Sequence, residues 1–189
     1  KLSLPKPDIV IFLSMPPSFC LQLNDKRLNK INGSSKKDIH ERDTGYLEKT
    51  YEVAVYAAKK IGLIVHGSFI IGNPRETKQT IEKTIKFALR LPLDAVTFSI
   101  MTPYPNTELT RLASKYGEIK SLDWTQYRGH PDEAIFLPYG LEGKYLFKKQ
   151  KDAYRKFYFR LKIIFNILKR IKNIEMLRLY LSSIKALLK

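Results

Sequence analysis

Thiol and imidazole side chains, which carry much of the metal and nucleophilic chemistry of proteins, are scarce in this sequence. Cys20 is the single cysteine in 189 residues, so the chain can form no internal disulfide framework and no metal cluster from several of its own thiolates. The histidines are His40, His66 and His130, and their separations do not match the spacing of zinc ligands. We therefore predict no metal site and identify no catalytic residue. Cys20 is expected to act as a small apolar side chain, and His66 to lie in the core or a substrate pocket.

The sequence predicts buried strands that alternate with amphipathic helices, and any site would be held between them. Short apolar runs rich in β-branched residues predict strands at 8–13, 63–72 and 95–101. Apolar residues at helical spacing predict helices at 18–29, 40–61, 77–91, 107–116, 144–172 and from 174 onwards. Residues 118–143 show no clear period and are expected to form an ordered loop.

The order of these elements indicates the fold class. Strand, helix, strand and helix follow one another from residue 63 to residue 116, which is typical of a right-handed parallel βαβ unit. We predict an α/β fold with a partial parallel sheet of about three strands, flanked by helices and followed by a basic helical tail. Open edges of so small a sheet predict association with another chain.

Positive charge is concentrated in the last quarter of the chain. The formal net charge is +16, from 34 Lys and Arg against 18 Asp and Glu. Residues 144–189 hold 14 of these basic residues and two acids, Asp152 and Glu175. Three interpretations stay open: the helices cover the sheet with cationic side chains outward, lie on an anionic membrane surface, or bind nucleic acid. The last is disfavoured, because no helix-turn-helix or zinc-finger signature is present.

Localisation is predicted from what the sequence does not contain. No apolar run reaches 18 residues, so no transmembrane helix is expected. The chain starts at Lys1 without a signal peptide. We therefore expect a cytoplasmic protein, membrane-peripheral if the basic helices bind lipid. A start without Met also suggests a fragment.

A first linear pattern lies within the first 61 residues. It consists of the stretches LPKPDIVIFL (4–13), MPP (15–17), NDKR (24–27), KDIHERD (37–43) and YLEKTY (46–51). Together they resemble the C-terminal half of thymidylate kinase. In that family the strand belongs to a nucleotide-binding sheet, and a basic lid closes on the phosphates. The resemblance places Arg27, Lys36 and Lys37 in the lid, and an Arg fork suits phosphoryl groups.

The kinase resemblance implies ATP and Mg²⁺ as cofactors and dTMP phosphorylation as the activity. Such a kinase needs the motif G-x-x-x-x-G-K-S/T, whose backbone donors hold the phosphates, and this sequence contains none. The plain alternative for Arg27, Lys36 and Lys37 is an exposed polar loop. We therefore expect at most a remnant that binds a thymidine nucleotide weakly.

A second pattern covers about two thirds of the chain. Its carriers are VHGSFIIGNPRET (65–77), TIEKTIKFA (80–88), FSIMTPYPNTEL (98–109), DW (123–124) and AYRKFY (153–158). In this order they resemble the C-terminal part of a radical S-adenosylmethionine enzyme, of the group that often carries a cobalamin-binding domain upstream. That resemblance implies S-adenosylmethionine and a [4Fe–4S] cluster as the cofactors of the family.

The radical enzyme resemblance also implies cofactor-binding residues. The end of the strand, with Phe69, Ile70 and Gly72, is expected to pack on the adenine of S-adenosylmethionine, and a glycine lets backbone approach a ligand closely. Pro103 and Tyr104 follow the next strand at the end where barrel sites form. The family usually has Gly where this chain has Arg75, so a left-handed backbone there is expected to be strained.

The cluster itself is not expected on this chain. Family members hold it with three closely spaced cysteines, whereas Cys20 stands alone, within the kinase-like segment. The two resemblances meet near residue 60, where both families have a helix followed by a strand. This division gives three segments: residues 1–61 (kinase-like), 62–143 (radical enzyme-like) and 144–189 (basic helical tail). Our leading explanation is a chimaeric reading frame.

Three functional hypotheses follow from these patterns. The first is a fragment resembling a radical S-adenosylmethionine enzyme, inactive alone because it lacks the cluster-binding cysteines. The second is a thymidylate kinase-like remnant without the phosphate-binding loop. The third is a non-enzymatic module that binds a membrane surface or another polyanion.

Overall fold

A computed structural model of the protein describes residues 9–14, 44–123, 125, 127, 134–171 and 173–188. In chain order its elements are β1 (Ile9–Ser14), α1 (Thr44–Lys60), β2 (Ile64–Ile71), α2 (Lys78–Arg90), β3 (Ala95–Ile100), α3 (Glu108–Ala113), β4 (Gly117–Ile119), β5 (Phe136–Pro138), α4 (Gly143–Tyr158), α5 (Leu161–Arg170) and α6 (Ile174–Leu188). The predicted α/β class is confirmed, and β1, β2, β3 and α2 begin and end within about one residue of their predicted positions. The helix predicted at 18–29 lies outside the described residues.

The first three strands form one parallel sheet in the order β1-β2-β3. Ile9 pairs with Ile64 at one end of β1, and His66 pairs with Ala95 across β2 and β3. The kinase-like segment therefore contributes a strand to the same sheet as the segment that resembles a radical enzyme. β1 and β3 are the outer strands of this sheet among the described residues.

The core lies on one face of the sheet, where alternate side chains of β2 and β3 meet the helices. The fully buried members include Val65, Phe69, Ile71, Val96 and Phe98, and α2 adds Ile81, Ile85 and Ala88. This alternation has a period of two, as a pleated strand requires. The opposite face carries His66, Ser68, Thr97 and Ser99, which are half-buried or exposed.

Helix α2 begins with a capping box, which fixes where the chain leaves the loop after β2. The Thr77 backbone N–H donates to Thr80 Oγ1 at 2.9 Å, and the Thr80 N–H donates to Thr77 Oγ1 at 3.3 Å. These bonds satisfy backbone donors that the first turn of a helix otherwise leaves unpaired.

Helix α4 runs along the outer edge of β3. The Tyr154 hydroxyl lies 2.9 Å from the Phe98 backbone nitrogen, and the Tyr158 hydroxyl lies 3.2 Å from that of Val96. Gln150 Nε2 also donates to the Phe98 carbonyl at 2.6 Å. The edge of β3 is thus occupied by side chains of α4.

The prediction of one long helix over 144–172 is wrong, because the chain breaks into α4 and α5 at residues 159–160. Arg160 has an extended backbone (φ −70°, ψ 131°), and its Nη1 donates to the Leu89 carbonyl at 2.7 Å. The break rotates the helix that follows. Ile163 is therefore buried, at 2% exposed, whereas Leu161 is 85% exposed.

The prediction of a loop over 118–143 is also incomplete. β4 and β5 pair in antiparallel fashion, with Gly117 opposite Pro138. A Cβ atom at Gly117 would lie 2.2 Å from the Leu137 carbonyl oxygen, so this glycine serves the close pairing of two strands. The preceding helix α3 ends at Ala113 rather than at residue 116. None of the helices in the described part of the chain is long and apolar enough to cross a membrane.

Candidate functional site

The carboxyl ends of β2 and β3 lie side by side. Ile71 pairs with Ile100, and the Met101 backbone N–H donates to the Ile71 carbonyl at 2.8 Å. The loops that leave the two strands therefore start next to each other. Ligands of open α/β sheets bind beyond the carboxyl ends of the strands, so these loops form the candidate site.

The loop after β2 is held by the side chain of Glu76. One carboxylate oxygen, Oε2, accepts hydrogen bonds from the backbone N–H groups of Gly72 at 2.5 Å and Asn73 at 2.8 Å. Asn73 Nδ2 in turn donates to the Ile70 carbonyl at 3.2 Å. Asn73 and Glu76 are both buried. The turn is thus fixed by two buried polar side chains rather than by its backbone alone.

Glu76 is the most unusual titratable group in the described residues. It is only 7% exposed, and no described residue bonds its second oxygen, Oε1, which is buried. Burial raises the pKa of Glu76 to about 7, although the backbone donors of Asn73 and Gly72 favour its carboxylate form. Near neutral pH the Glu76 carboxyl can therefore be either protonated or ionised.

Sequence reasoning missed the role of Glu76. The available signal was an acidic residue three positions after Asn73, a spacing at which a carboxylate can reach backbone donors of a turn. The burial that raises its pKa comes from tertiary packing, and the local sequence does not contain it.

Gly72 adopts a left-handed backbone, with φ +81°. A Cβ atom there would lie 3.2 Å from Leu146 Cδ1, on α4. The close approach that we predicted for a ligand is thus made here by a leucine side chain. Gly72 serves two local purposes, the left-handed turn and the packing of α4 against the end of the sheet.

Arg75 also has a left-handed backbone, with φ 65°. The expected left-handed conformation is therefore present, and an arginine occupies it. Its guanidinium carbon lies 4.1 Å from the centre of the Tyr116 ring, and its Nη2 donates to the Tyr116 hydroxyl. This contact joins the loop after β2 to the residue before β4, and cation–π attraction offsets part of the backbone strain.

The loop after β3 carries an exposed aromatic side chain. Tyr104 is exposed, and its ring centre lies 5.6 Å from that of Tyr127. Thr107 Oγ1 donates to the Tyr104 carbonyl at 2.7 Å. Pro103, next to Tyr104, is buried. The loop therefore presents the Tyr104 side chain from an anchored backbone.

The residues predicted to bind a cofactor fall into two groups. Phe69 is fully buried, and its ring stacks on Phe98 with centres 5.4 Å apart, so its side chain belongs to the core. Ile70 lies on the opposite face of β2 and is 38% exposed. Ile70 and Gly72 thus lie at the end of β2, beside the start of the loop that carries Tyr104, whereas the ring of Phe69 lies in the core.

Several other candidates lie outside the described residues: Cys20, Arg27, Lys36, Lys37, His40 and His130. His66 is described, and it is half-buried on the face of the sheet away from the core. Its Nε2 lies 2.8 Å from Thr97 Oγ1 on β3. Among the described residues, no three His, Cys, Asp or Glu side chains lie together in a way that could hold a metal ion.

Comparison with known proteins finds relatives that match part of this chain, including the following three. An uncharacterized methyltransferase of Pyrococcus horikoshii is 40% identical over 111 residues, which is 59% of this chain and 24% of the relative. The bacteriochlorophyllide d C-8(2)-methyltransferase of Chlorobaculum tepidum is 26% identical over 53% of this chain and 22% of its own length. The anaerobic magnesium-protoporphyrin IX monomethyl ester cyclase of Cereibacter sphaeroides is 27% identical over 66% of this chain and 19% of its own length. The chain matches no family model.

These relatives support the resemblance to radical S-adenosylmethionine enzymes and methyltransferases at the level of enzyme class. The chain spans about a quarter or less of the length of the curated relatives it matches. None of the relatives found is a thymidylate kinase, so the kinase resemblance of residues 1–61 stays a prediction.

Proposed function

We propose that this chain forms the adenosyl-binding part of a radical S-adenosylmethionine enzyme, at the carboxyl ends of β2 and β3. The observation that carries the proposal is the adjacency of the two strand ends, where Glu76 fixes one loop and the other presents Tyr104. The relatives named as methyltransferases favour a ligand that donates an alkyl group.

The described residues suit the adenosyl half of S-adenosylmethionine. Adenine has two apolar faces and a hydrogen-bonding edge, and pockets for such groups combine apolar side chains with a few polar atoms. Ile70 and Tyr104 supply exposed apolar and aromatic surface near the strand ends, and Glu76 Oε1 is a buried polar atom that no described residue bonds. When bound, S-adenosylmethionine supplies an alkyl group activated by its sulfonium.

The residues of the chain do not suit the [4Fe–4S] cluster of the resembled family. Such clusters are held by several thiolates, and the sequence contains one cysteine, Cys20. We therefore assign no step to a cluster on this chain. The proposal is for binding and orientation of the nucleoside, and we expect the chain to be inactive alone.

Each residue of the loop after β2 has a distinct part in this proposal. Glu76 holds the Gly72 and Asn73 N–H groups inward, which leaves the turn pre-organised before a ligand arrives. Its proton at Oε1 decides whether that atom donates or accepts a hydrogen bond. Arg75 ties the outer side of the same loop to Tyr116.

Calorimetric titration with S-adenosylhomocysteine tests the proposal without any catalysis. Ile70→Glu places a charge at the strand end and is expected to weaken binding by about tenfold or more, because a carboxylate would be desolvated against the ligand. Ile64→Glu is a matched control on the same face of β2, since Ile64 is 41% exposed against 38% for Ile70. The proposal fails if the wild-type chain binds no S-adenosylhomocysteine, or if both variants weaken binding equally.

A further inference from the structure

Helix α5 has apolar side chains on two opposite sides. Ile163 is buried, and Ile167 packs against the same core. The other side carries Leu161, Phe165 and Leu168, all of them exposed, and we call these three residues the outer apolar face. Packing against the core accounts for Ile163 and Ile167, but not for the outer apolar face. Clusters of large exposed apolar residues on a protein surface mark sites of interaction.

Basic side chains flank the outer apolar face. Lys162 and Lys169 are exposed, and Lys169 Nζ lies 4.3 Å from the centre of the Phe165 ring. The aromatic ring and the ammonium group are thus neighbours on one surface.

Helix α6 continues the pattern after the turn at Asn173. Ile174, Leu179 and Leu181 are exposed, and so is Arg178. Residues 161–189 contain seven Lys and Arg and one acid, Glu175. The two helices therefore combine exposed apolar groups with a strong positive charge.

The charge decides which occupant suits this surface. A second copy of the chain would bring the same positive charge against it, and like charges brought together oppose association. Nucleic acid would match the charge but would leave the exposed leucines and isoleucines without a partner. An anionic lipid surface satisfies both features, because acyl chains accept the apolar groups while the headgroups attract the lysines.

We propose that the outer apolar face of α5, together with the exposed apolar residues of α6, binds an anionic lipid surface. The helices lie in the headgroup region, with the side of α5 that carries Ile163 still packed on the core. This inference rests on α5 and α6, and it is independent of the proposed adenosyl site.

Co-sedimentation with vesicles tests the proposal. The full chain is expected to bind vesicles of equal parts phosphatidylglycerol and phosphatidylcholine at low ionic strength, and to bind more weakly as salt shortens the screening length. Each Lys near an anionic surface contributes about fivefold in affinity, so Lys162→Glu with Lys169→Glu is expected to weaken binding by about 25-fold or more. The control pair is Lys83→Glu with Lys86→Glu, two exposed lysines of α2 that carry the same change in charge.

A second pair of variants tests the apolar contribution. Leu161→Ser with Phe165→Ser is expected to abolish sedimentation with the mixed vesicles, whereas Leu122→Ser with Tyr139→Ser, at exposed positions elsewhere, is expected to leave it unchanged. Circular dichroism of all four variants confirms that the chain still folds.

Three results would overturn the proposal. One is the absence of sedimentation with the mixed vesicles at low ionic strength. Another is equal binding to pure phosphatidylcholine vesicles, which would remove the role of charge. The third is a dimer, measured by light scattering, that Phe165→Ser dissociates while vesicle binding stays unaffected, because a second copy would then cover this surface.

Discussion

The hydroxyl group of Tyr154 lies 2.9 Å from the backbone nitrogen of Phe98 and 3.2 Å from its carbonyl oxygen. Tyr158 makes the same pair of contacts with Val96, at 3.2 and 3.1 Å. Four residues of helix advance about 6 Å and two residues of strand about 6.6 Å. Tyrosines four apart on α4 therefore match alternate residues of β3, and they satisfy backbone groups that an edge strand otherwise leaves open.

Removing these hydroxyl groups is expected to destabilise the fold. Tyr154→Phe and Tyr158→Phe both keep the ring. Tyr158→Phe leaves the N–H and the C=O of Val96 without this partner, whereas Tyr154→Phe leaves only the N–H of Phe98 so, because Gln150 Nε2 still donates to the Phe98 carbonyl. We expect each variant to lose about 1–3 kcal/mol of unfolding free energy, measured by urea denaturation. Tyr139→Phe is the control, since Tyr139 is largely exposed. Equal stability of all three variants would show that α4 does not close this edge.

Glu76 is expected to make the stability of the protein depend on pH. Burial raises its pKa to about 7 from an ordinary 4.5, so between these values the folded state binds more protons than the unfolded state. Its contribution to the unfolding free energy is therefore fully present below pH 4.5 and is lost as the pH rises through 7.

The comparison of wild type with Glu76→Gln isolates this effect. The variant cannot deprotonate there, so the wild type is expected to lose about 3 kcal/mol relative to it across that range. Glu118→Gln, at an exposed position of β4, is the control and should show the pH profile of the wild type. Parallel profiles for wild type and Glu76→Gln would contradict the raised pKa.

Gly72 and Gly140 provide a test of packing at equal backbone strain. Both have a left-handed backbone, with φ +81° and +80°, but a Cβ atom would lie 3.2 Å from Leu146 Cδ1 only at Gly72. Each alanine variant is expected to lose about 1 kcal/mol through the backbone. Gly72→Ala should lose a further amount of about 1 kcal/mol, because Leu146 must shift. Thermal unfolding that ranks the two variants equally would refute the contact with α4.

Substitutions at Arg75 separate the cost of its left-handed backbone from the stabilising contact with Tyr116. Arg75→Ala loses the Tyr116 contact and keeps the strain, whereas Arg75→Gly loses the contact and removes the strain. We therefore expect the glycine variant to be about 1 kcal/mol more stable than the alanine variant in chemical denaturation. If alanine is the more stable of the two, the backbone at residue 75 is not left-handed in solution.

If another chain joins the sheet at an open edge, as predicted, β1 is the edge strand available to it. The edge of β3 is occupied by α4, while β1 has no further strand beside it among the described residues. The association itself stays a prediction.

Local periodicity was sufficient to predict the central sheet and its helices. Apolar runs predict the strands at 63–72 and 95–101, and Ile81, Ile85 and Ala88 repeat at helical spacing, so their burial follows from the chain itself. Which side of β2 lies in the core, with Val65, Phe69 and Ile71, was decided by packing against the helices.

The break of the long basic helix could not be predicted in this way. Arg160 bonds the Leu89 carbonyl, 71 residues away in sequence, and this long-range bond accompanies the extended backbone that turns Leu161 outward. A helical pattern of apolar residues continues across the break, so periodicity alone indicates one helix.

The α/β class, the positions of the three parallel strands and the loops at their carboxyl ends could be predicted from local spacing, because each depends on residues close together in the chain. The core position of Phe69, the burial and raised pKa of Glu76, and the closing of β3 by α4 through Tyr154 came only from packing. Each of these depends on residues far apart in the chain. Burial and long-range hydrogen bonds are properties of the packed molecule, and no local pattern contains them.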